Sequence, residues 1–419
     1  MAATRALVAL AVLGGVAAGA GVLLWGRAHE RDGEPLEWSA ADPAHIAGTA
    51  LTEDVAKSFF PQLERPTNRM MYDPVATIVL RPDRNQSFDW PEHPAGRVTF
   101  RTNNLGFRED RPTQVEKQGP RLLVLGDSHT EGQVNNDENV AHVLERLLQE
   151  RPPERTGAEP DGGSDASQAA LRAAGVAPRF EVLNAAVGGT GPHEYLGRLR
   201  KHLDLRPDLV IVVLYCGNDF SNALMMSDFA TKRERAPRSA EYKQRLDEAG
   251  ARWPKLVPQG FNQACQFREW PGEDELALAA ARDDLLAMAR LCDGIGARLL
   301  VACLPSLPDV QPDSDRATVD ALLATLHLDA EAFGASLRLG RRLCGELEGR
   351  GVACLDPAAA MAAAETPLYW RADHHLNVAG HALLARLLHE RIGQGFALAG
   401  GALVPRDGDG AGETPGVRR

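Results

Sequence analysis

The sequence predicts a three-layer α/β/α fold on a five-stranded parallel sheet, doubly wound in the flavodoxin-like manner. Two observations predict it. From Arg121 onward short apolar runs alternate with longer amphipathic stretches, as parallel βαβ units do. Five runs fit strands, at 122–125, 180–187, 209–215, 298–304 and 352–355. Helical patterns at 139–150, 193–203, 275–294 and 331–349 fall between or beside them, and a last one follows at 377–392. In such a sheet ligands sit at the carboxyl ends of the strands, so the turns after these runs are where function belongs.

The 419 residues exceed one average domain, yet α/β units often pass about 250 residues undivided. One main domain at 121–396 is therefore expected. It carries a Pro-, Gly- and charge-rich insertion at 151–178, which reads as an exposed loop. A second insertion at 220–272 holds Phe229, Tyr242, Trp253, Phe261, Phe267 and Trp270 among many charges, and reads equally as a lid or pocket wall or as a surface excursion. Residues 31–120 form an extension in which Val98, Phe100 and Thr102 alternate before Asn103-Asn104, a small β element packed on the main domain. Gly, Ala, Asp and Pro dominate 397–419, which is expected to be a disordered tail.

At the N-terminus, residues 1–30 carry a targeting signal: Arg5 precedes an unbroken apolar stretch at 6–25, closed by Trp25. About 20 apolar residues suffice to cross a bilayer, and a cleaved signal has a shorter core. The expectation is a signal anchor, a single transmembrane helix with the main domain outside the cytoplasm; a secreted form is the alternative. Hydrophobic residues make up 44% and charged residues 25%, enough to bury a sizeable core. A net charge of -11 without a basic run argues against nucleic acid as a partner. The six cysteines contain no Cys-x-x-Cys pair, so no zinc motif is read, and Cys216, Cys303 and Cys354 look like buried free thiols beside strands.

Four short blocks carry chemistry. The first strand runs into Gly126-Asp127-Ser128-His129-Thr130-Glu131-Gly132. A serine on such a turn presents its hydroxyl at the sheet edge, beside backbone N–H groups able to meet an oxyanion, although an isolated Gly-Asp-Ser is also an ordinary helix cap. Before the last helix stands Asp373-His374-His375-Leu376-Asn377. An Asp two positions before a His can fix the ring's tautomer and leave its other nitrogen to accept a serine proton. Read alone, Asp373, His374 and His375 also suit a metal, and His374 and His381 compete with His375 as the base. After the second and third strands come Asn184-Ala185-Ala186-Val187-Gly188-Gly189 and Tyr215-Cys216-Gly217-Asn218-Asp219, which alone would be plain turns.

Together, and in this order, the blocks resemble the SGNH hydrolase superfamily, the GDSL-like lipases and esterases, over about residues 121–396. That resemblance implies Ser128 as nucleophile, His375 as general base and Asp373 as its orienting carboxylate. It implies an oxyanion hole from the N–H groups of Ser128 and Gly189 and the side chain of Asn218. The implied reaction hydrolyses an ester, with no cofactor and no metal. Two departures stand out: His129 replaces the usual Leu, and the spacing is Asp-x-His. The latter resembles the motif of bacterial polysaccharide O-acetyltransferases, where it can precede the serine; here it follows. The substrate implied is an acylated envelope glycan or a lipid, with O-acyl transfer to a polysaccharide as the alternative reaction. A catalytically silent binding protein on the same fold is the third possibility. The Leu105-Gly106-Phe107-Arg108 stretch resembles one found before the catalytic domain of membrane-anchored bacterial relatives, and also reads as a turn and strand that merely pack.

Overall fold

The computed structural model describes residues 51–65, 69–154, 179–399 and 402–406. The apolar stretch at 6–25, most of the 151–178 insertion and the last residues of the tail lie outside them. Among the described residues no helix is long and apolar enough to cross a membrane.

The expected sheet forms. Its strands are β5 (Arg121–Gly126), β6 (Glu181–Asn184), β7 (Leu209–Tyr215), β8 (Arg298–Leu304) and β9 (Ala353–Leu355), all parallel, in the order β6-β5-β7-β8-β9. Successive side chains leave a strand on opposite faces, so each strand feeds two cores. Leu122 and Val124 join Ile211, Val213 and Leu300 against the helices Val140–Glu150 and Val378–Gly395. Leu123 and Leu125 join Val210, Val212 and Val301 against Pro192–Lys201, Asp219–Thr231, Glu273–Gly294 and Ala335–Glu348. Each fully buried Leu or Val contributes about 1.5–3 kcal/mol, so the two faces together supply most of the driving force. All six cysteines are buried and unpaired, with Cys344 Sγ 3.2 Å from Cys303 Sγ across the second core.

The segment before β5 contains two hairpins, β1 (Met70–Asp73) with β2 (Thr77–Leu80) and β3 (Asn85–Asp89) with β4 (Arg97–Arg101). They share cores with the main domain: Met70, Ile78, Leu80 and Phe100 enclose Val187, while Trp90 and Val98 meet Val134 and Trp370. The extension thus touches the loops that follow β6, the Ser128 turn and the turn before the last helix.

One open reading is decided and one expectation needs revision. The insertion at 220–272 is mostly helical, with Ala240–Arg252 and Asn262–Glu269 after the helix that starts at Asp219. Its Tyr242, Leu256, Val257 and Phe261 join the first core, so it is a wall of the domain and no surface excursion. The tail does not begin as disorder: β10 (Phe396–Ala399) and β11 (Ala402–Pro405) pair antiparallel. Phe396, Leu398 and Leu403 are buried, and the Leu398 N–H donates to the Glu154 carbonyl at 2.9 Å. A few apolar side chains at alternate positions outweigh the glycine-rich composition that surrounds them.

The Asn103-Asn104-Leu105-Gly106-Phe107 turn yields a stability test. Asn103 Oδ1 accepts the N–H groups of Leu105 and Phe107, and Gly106 has φ +79°. A β carbon on Gly106 would lie 2.2 Å from the Leu80 carbonyl oxygen, a backbone atom that cannot give way, whereas one on Gly96 (φ +68°) would meet nothing within 4 Å. Gly96→Ala should therefore cost only the left-handed strain, about 1–2 kcal/mol, and Gly106→Ala clearly more. Urea unfolding of both variants decides the matter; equal losses would contradict the close packing described.

Candidate active site

Ser128 opens a single helical turn, Ser128–Glu131, directly after β5. The turn is held from inside: Asp127 caps it, its Oδ1 accepting the His129 N–H at 2.8 Å. The approach is close, since a β carbon on Gly126 would fall 2.2 Å from Thr130 Oγ1 and 3.0 Å from the Val213 carbonyl. Only glycine allows the chain to turn there. Burial pushes the Asp127 carboxyl up to about 6, against the His129 N–H, His375 and the Asn218 amide, all of which favour its ionised form.

His375 reaches this hydroxyl from 247 residues away. Its Nε2 stands 2.8 Å from Ser128 Oγ, and its Nδ1 stands 2.9 Å from Asp373 Oδ2. The turn that delivers it is tight: Asp373 Oδ1 accepts the His375 N–H at 3.1 Å, Trp370 N–H donates to the His375 carbonyl at 2.8 Å, and Asn377 Oδ1 caps the last helix through Gly380 N–H at 2.9 Å. Burial works to lower the His375 pKa, but the charge and hydrogen bond of Asp373, with Asp127 and Glu131 behind it, override this, and the pKa is raised above 6.5. A carboxylate on Nδ1 also puts the proton there, so Nε2 is left as the acceptor facing Ser128.

The rival histidines turn elsewhere. His374, at φ +57°, places Nε2 3.1 Å from Asp315 Oδ2. His381 Nδ1 accepts the Val140 N–H at 3.2 Å, which fits a neutral ring, and burial takes its pKa down to about 3. The neighbours His374 and His375 thus serve different carboxylates and do not converge on one point.

Gly189 and Asn218 occupy the turns after β6 and β7, on either side of β5. Gly188 is buried and touches the serine: a β carbon on it would lie 3.3 Å from Ser128 Cβ. Gly189 beside it is exposed, with the Gln62 side-chain amide 3.6 Å from its own β position. Asn218 is half-buried at the start of the helix Asp219–Thr231, and its carbonyl accepts Ser221 Oγ–H at 2.8 Å. The insertion steadies this turn, since Gln263 donates to the Cys216 carbonyl and accepts the Ser221 N–H.

Three features here escape a reading of motifs. The buried His129 ring stacks on Tyr215 with centroids 3.7 Å apart, lies 4.6 Å from the His375 ring, and meets Gln259 Oε1 through Nε2 at 3.0 Å. An amide oxygen only accepts, so His129 carries its proton on Nε2. Burial holds its pKa well below 6.5, which keeps a second positive charge away from His375. Gln259 comes from the middle of the insertion, 130 residues away, with no local signal to announce it. The second feature is Arg108. Its guanidinium is wholly buried and donates to the carbonyls of Glu131, Gly132 and Val134 and to Asn136 Oδ1, at 2.7–3.0 Å, above the Phe100 ring. Burial lowers its pKa to about 9, so it stays charged at neutral pH. The Leu105-Gly106-Phe107-Arg108 stretch therefore does more than pack: it pins the loop leaving the serine turn. The third is the contact of Arg69, from the extension, with the buried Glu131 carboxylate at 2.7 Å.

This arrangement can pass a proton from a hydroxyl to an imidazole backed by a carboxylate, at the edge of a sheet where N–H groups gather. The chain is similar to several known proteins. Residues 124–383 match the GDSL-like Lipase/Acylhydrolase family. Among solved structures, a lipase/acylhydrolase from Enterococcus faecalis is 13% identical, covering 68% of this chain and 98% of that one, with a TM-score of 0.36. A catalytic mutant of an acetylxylan esterase from Geobacillus stearothermophilus is 12% identical, covering 66% of this chain and 96% of that one, with a TM-score of 0.34. Among curated proteins none matches. The family match spans well over half of the chain and takes in the Ser128 turn, both glycine and asparagine turns and the Asp373–His375 turn, and on that ground the chain belongs to the GDSL-like lipase/acylhydrolase family of ester hydrolases, within the SGNH superfamily.

Proposed function

We propose that the chain is a serine esterase in which Ser128 is the nucleophile, His375 the general base and Asp373 its orienting partner. The observation that carries this reading is the approach of His375 to both groups, Nε2 standing 2.8 Å from Ser128 Oγ and Nδ1 2.9 Å from Asp373 Oδ2. A serine hydroxyl is a poor nucleophile until a base stands beside it, and here one does.

In the first step Ser128 Oγ bonds to the ester carbonyl carbon while its proton passes to His375 Nε2. The carbonyl oxygen gains the electron pair and is met by the N–H groups of Ser128 and Gly189 and by the Asn218 side chain. The carbon–oxygen bond to the alcohol then breaks, His375 returns its proton to that alcohol, and an acyl-Ser128 ester remains. Water, deprotonated by His375, releases the acid and restores the hydroxyl.

For the substrate, the reading favours a small acyl group on a hydroxylated alcohol, such as an O-acetyl group on an envelope glycan. Support comes from the neutral amides around the exposed Gly189: Gln62 beside it, Asn218 at the neighbouring turn, and Asn222, against which Gly191 packs. Amides of this kind match sugar hydroxyls in hydrogen bonding. The apolar run at 6–25 after Arg5 supports a location outside the cytoplasm, tethered to the membrane. The Asp-x-His spacing favours a second reading, acyl transfer to a glycan hydroxyl in place of water. Product analysis with and without added oligosaccharide separates the two.

Ser128→Ala should cut kcat/KM on p-nitrophenyl acetate by at least about 10³-fold and abolish labelling by a fluorophosphonate. Turnover equal to the parent removes Ser128 from the chemistry. The pH dependence tests the base. His375 must be unprotonated to accept a proton, and its surroundings raise its pKa, so kcat/KM should rise with pH through a midpoint above 6.5. Asp373→Asn should lower that midpoint and reduce the rate by about 10³–10⁴-fold, because the ring loses the partner that fixes its tautomer. A midpoint that does not move on this substitution would exclude Asp373 as the partner.

A further inference from the structure

Glu131 lies one helical turn beyond Ser128 and takes no part in the steps above, yet its carboxylate is only 1% exposed. One oxygen, Oε1, stands 2.7 Å from Arg69 Nη2. The other, Oε2, accepts the Gly188 N–H. The three residues meet beside the nucleophile, since a β carbon on Gly188 would lie 3.1 Å from Glu131 Oε2 and 3.3 Å from Ser128 Cβ. Arg69 belongs to the extension, just before β1; it is partly exposed, and its guanidinium lies 4.8 Å above the Phe100 ring.

A carboxylate shut away from water is unstable unless both oxygens are served. Here one is served by a cation and the other by a backbone N–H, a charge-assisted bond stronger than a neutral one. The Gly188 N–H is thereby committed inward, and Gly189, the exposed residue next to it, is left as the donor the loop can offer to a ligand.

We infer that Arg69 and Glu131 form a positioning clamp that fixes the Gly188–Gly189 loop against Ser128, so that a segment outside the main α/β domain sets the geometry of the oxyanion donors. The inference rests on the esterase reading for its effect on rate, but not for the clamp itself. Glutamine at 131 would keep the shape and break the device. Its single acceptor oxygen can serve Gly188 or Arg69, not both, and its NH₂ faces whichever donor is left.

The test uses the full chain with Glu131→Gln, Arg69→Met, Arg69→Lys and the Glu131→Gln/Arg69→Met double variant. Two readouts are taken: kcat and KM on p-nitrophenyl acetate, and amide hydrogen exchange in peptides spanning residues 184–191. In Glu131→Gln and Arg69→Met, kcat should fall by about 10–100-fold, less than the loss of a whole oxyanion donor, and KM should stay within about twofold, as for an interaction made in the transition state. Exchange across 184–191 should quicken in both. The double variant should be no slower than the worse single, because both changes break one link, and Arg69→Lys should recover most of the rate. Arg69 is partly exposed, so Arg69→Met keeps the test open if Glu131→Gln does not fold. Parental kcat in Arg69→Met, or unaltered exchange in that loop, overturns the clamp. If instead Ser128→Ala keeps parental turnover, the esterase reading fails, and the exchange result still decides whether the clamp exists.

Discussion

Every geometric relation at this site descends from the parallel alignment of five strands. When neighbouring strands run the same way, all their carboxyl ends reach one edge, and the turns that leave them become neighbours however far apart they lie in sequence. Val124 pairs with Asn184 on one side of β5, and Gly126 pairs with Val213 on the other. The serine turn is therefore flanked by the Gly188–Gly189 turn and the Asn218 turn as a matter of register. β5 is the point where the winding reverses, with β6 to one side and β7, β8 and β9 following on the other. The crevice that such a reversal opens is where a ligand finds room.

Register alone does not hold a serine in place, and the polar contacts that do so are mostly buried. Asp127 caps the turn from within, and Arg108 gathers the carbonyls that follow it. Behind Asn218, Asp219 accepts the Tyr215 N–H at 2.9 Å and the Tyr195 hydroxyl, while Arg198 reaches Thr190 and the Gly126 carbonyl. Burial raises the Asp219 carboxyl and lowers Arg198 to about 10. These groups lie where an unpaired charge would be costly, so the turns they join are coupled: moving one leaves a buried donor or acceptor without its partner. The extension takes part in this coupling through Arg108, Arg69 and the shared apolar contacts at Val187 and Val134. The described part of the extension from Arg69 to Arg108 is thus built into the main domain.

What was legible in the sequence follows from range. The strand at 209–215, and that at 298–304 after its exposed first residue Arg298, coincide with continuous apolar runs, because a strand segment buried on both faces needs an apolar residue at every position. The second strand is shorter than its apolar run. Ala185 and Val187 leave the ladder while their N–H groups still donate to the carbonyls of Val124 and Gly126, so apolar character there marks burial in a turn. Ser128, His375 and Asp373 were readable because each sits in a short motif whose neighbours are set by a tight turn. Arg69, Gln259 and Gln263 were not, since each acts on a partner that only the tertiary fold brings near, and a lone Gln or Arg carries no pattern. Arg108 lay between these cases: its stretch was noticeable, but its role depends on carbonyls more than 20 residues further on.

Four imidazoles, those of His129, His374, His375 and His381, lie buried in this region, and a charge on His375 lowers the pKa of the other three. Burial drives three of them down: His129 and His381 strongly, and His374 despite its contact with Asp315. His375 alone goes up, because Asp373 lies against its Nδ1 and the carboxylates of Asp127 and Glu131 stand behind it. Had the other three kept ordinary pKa values, a positive ring 4.6 Å away could form near neutral pH and cancel much of what Asp373 contributes. Burial and the charge on His375 keep His129 neutral, against the bond to Gln259, which favours the charged ring, so no second positive charge forms beside His375. On this argument, the Leu-to-His departure at position 129 is no loose variation: it adds a hydrogen-bonded ring that ties the wall at 253–270 to the serine turn, provided the ring stays neutral.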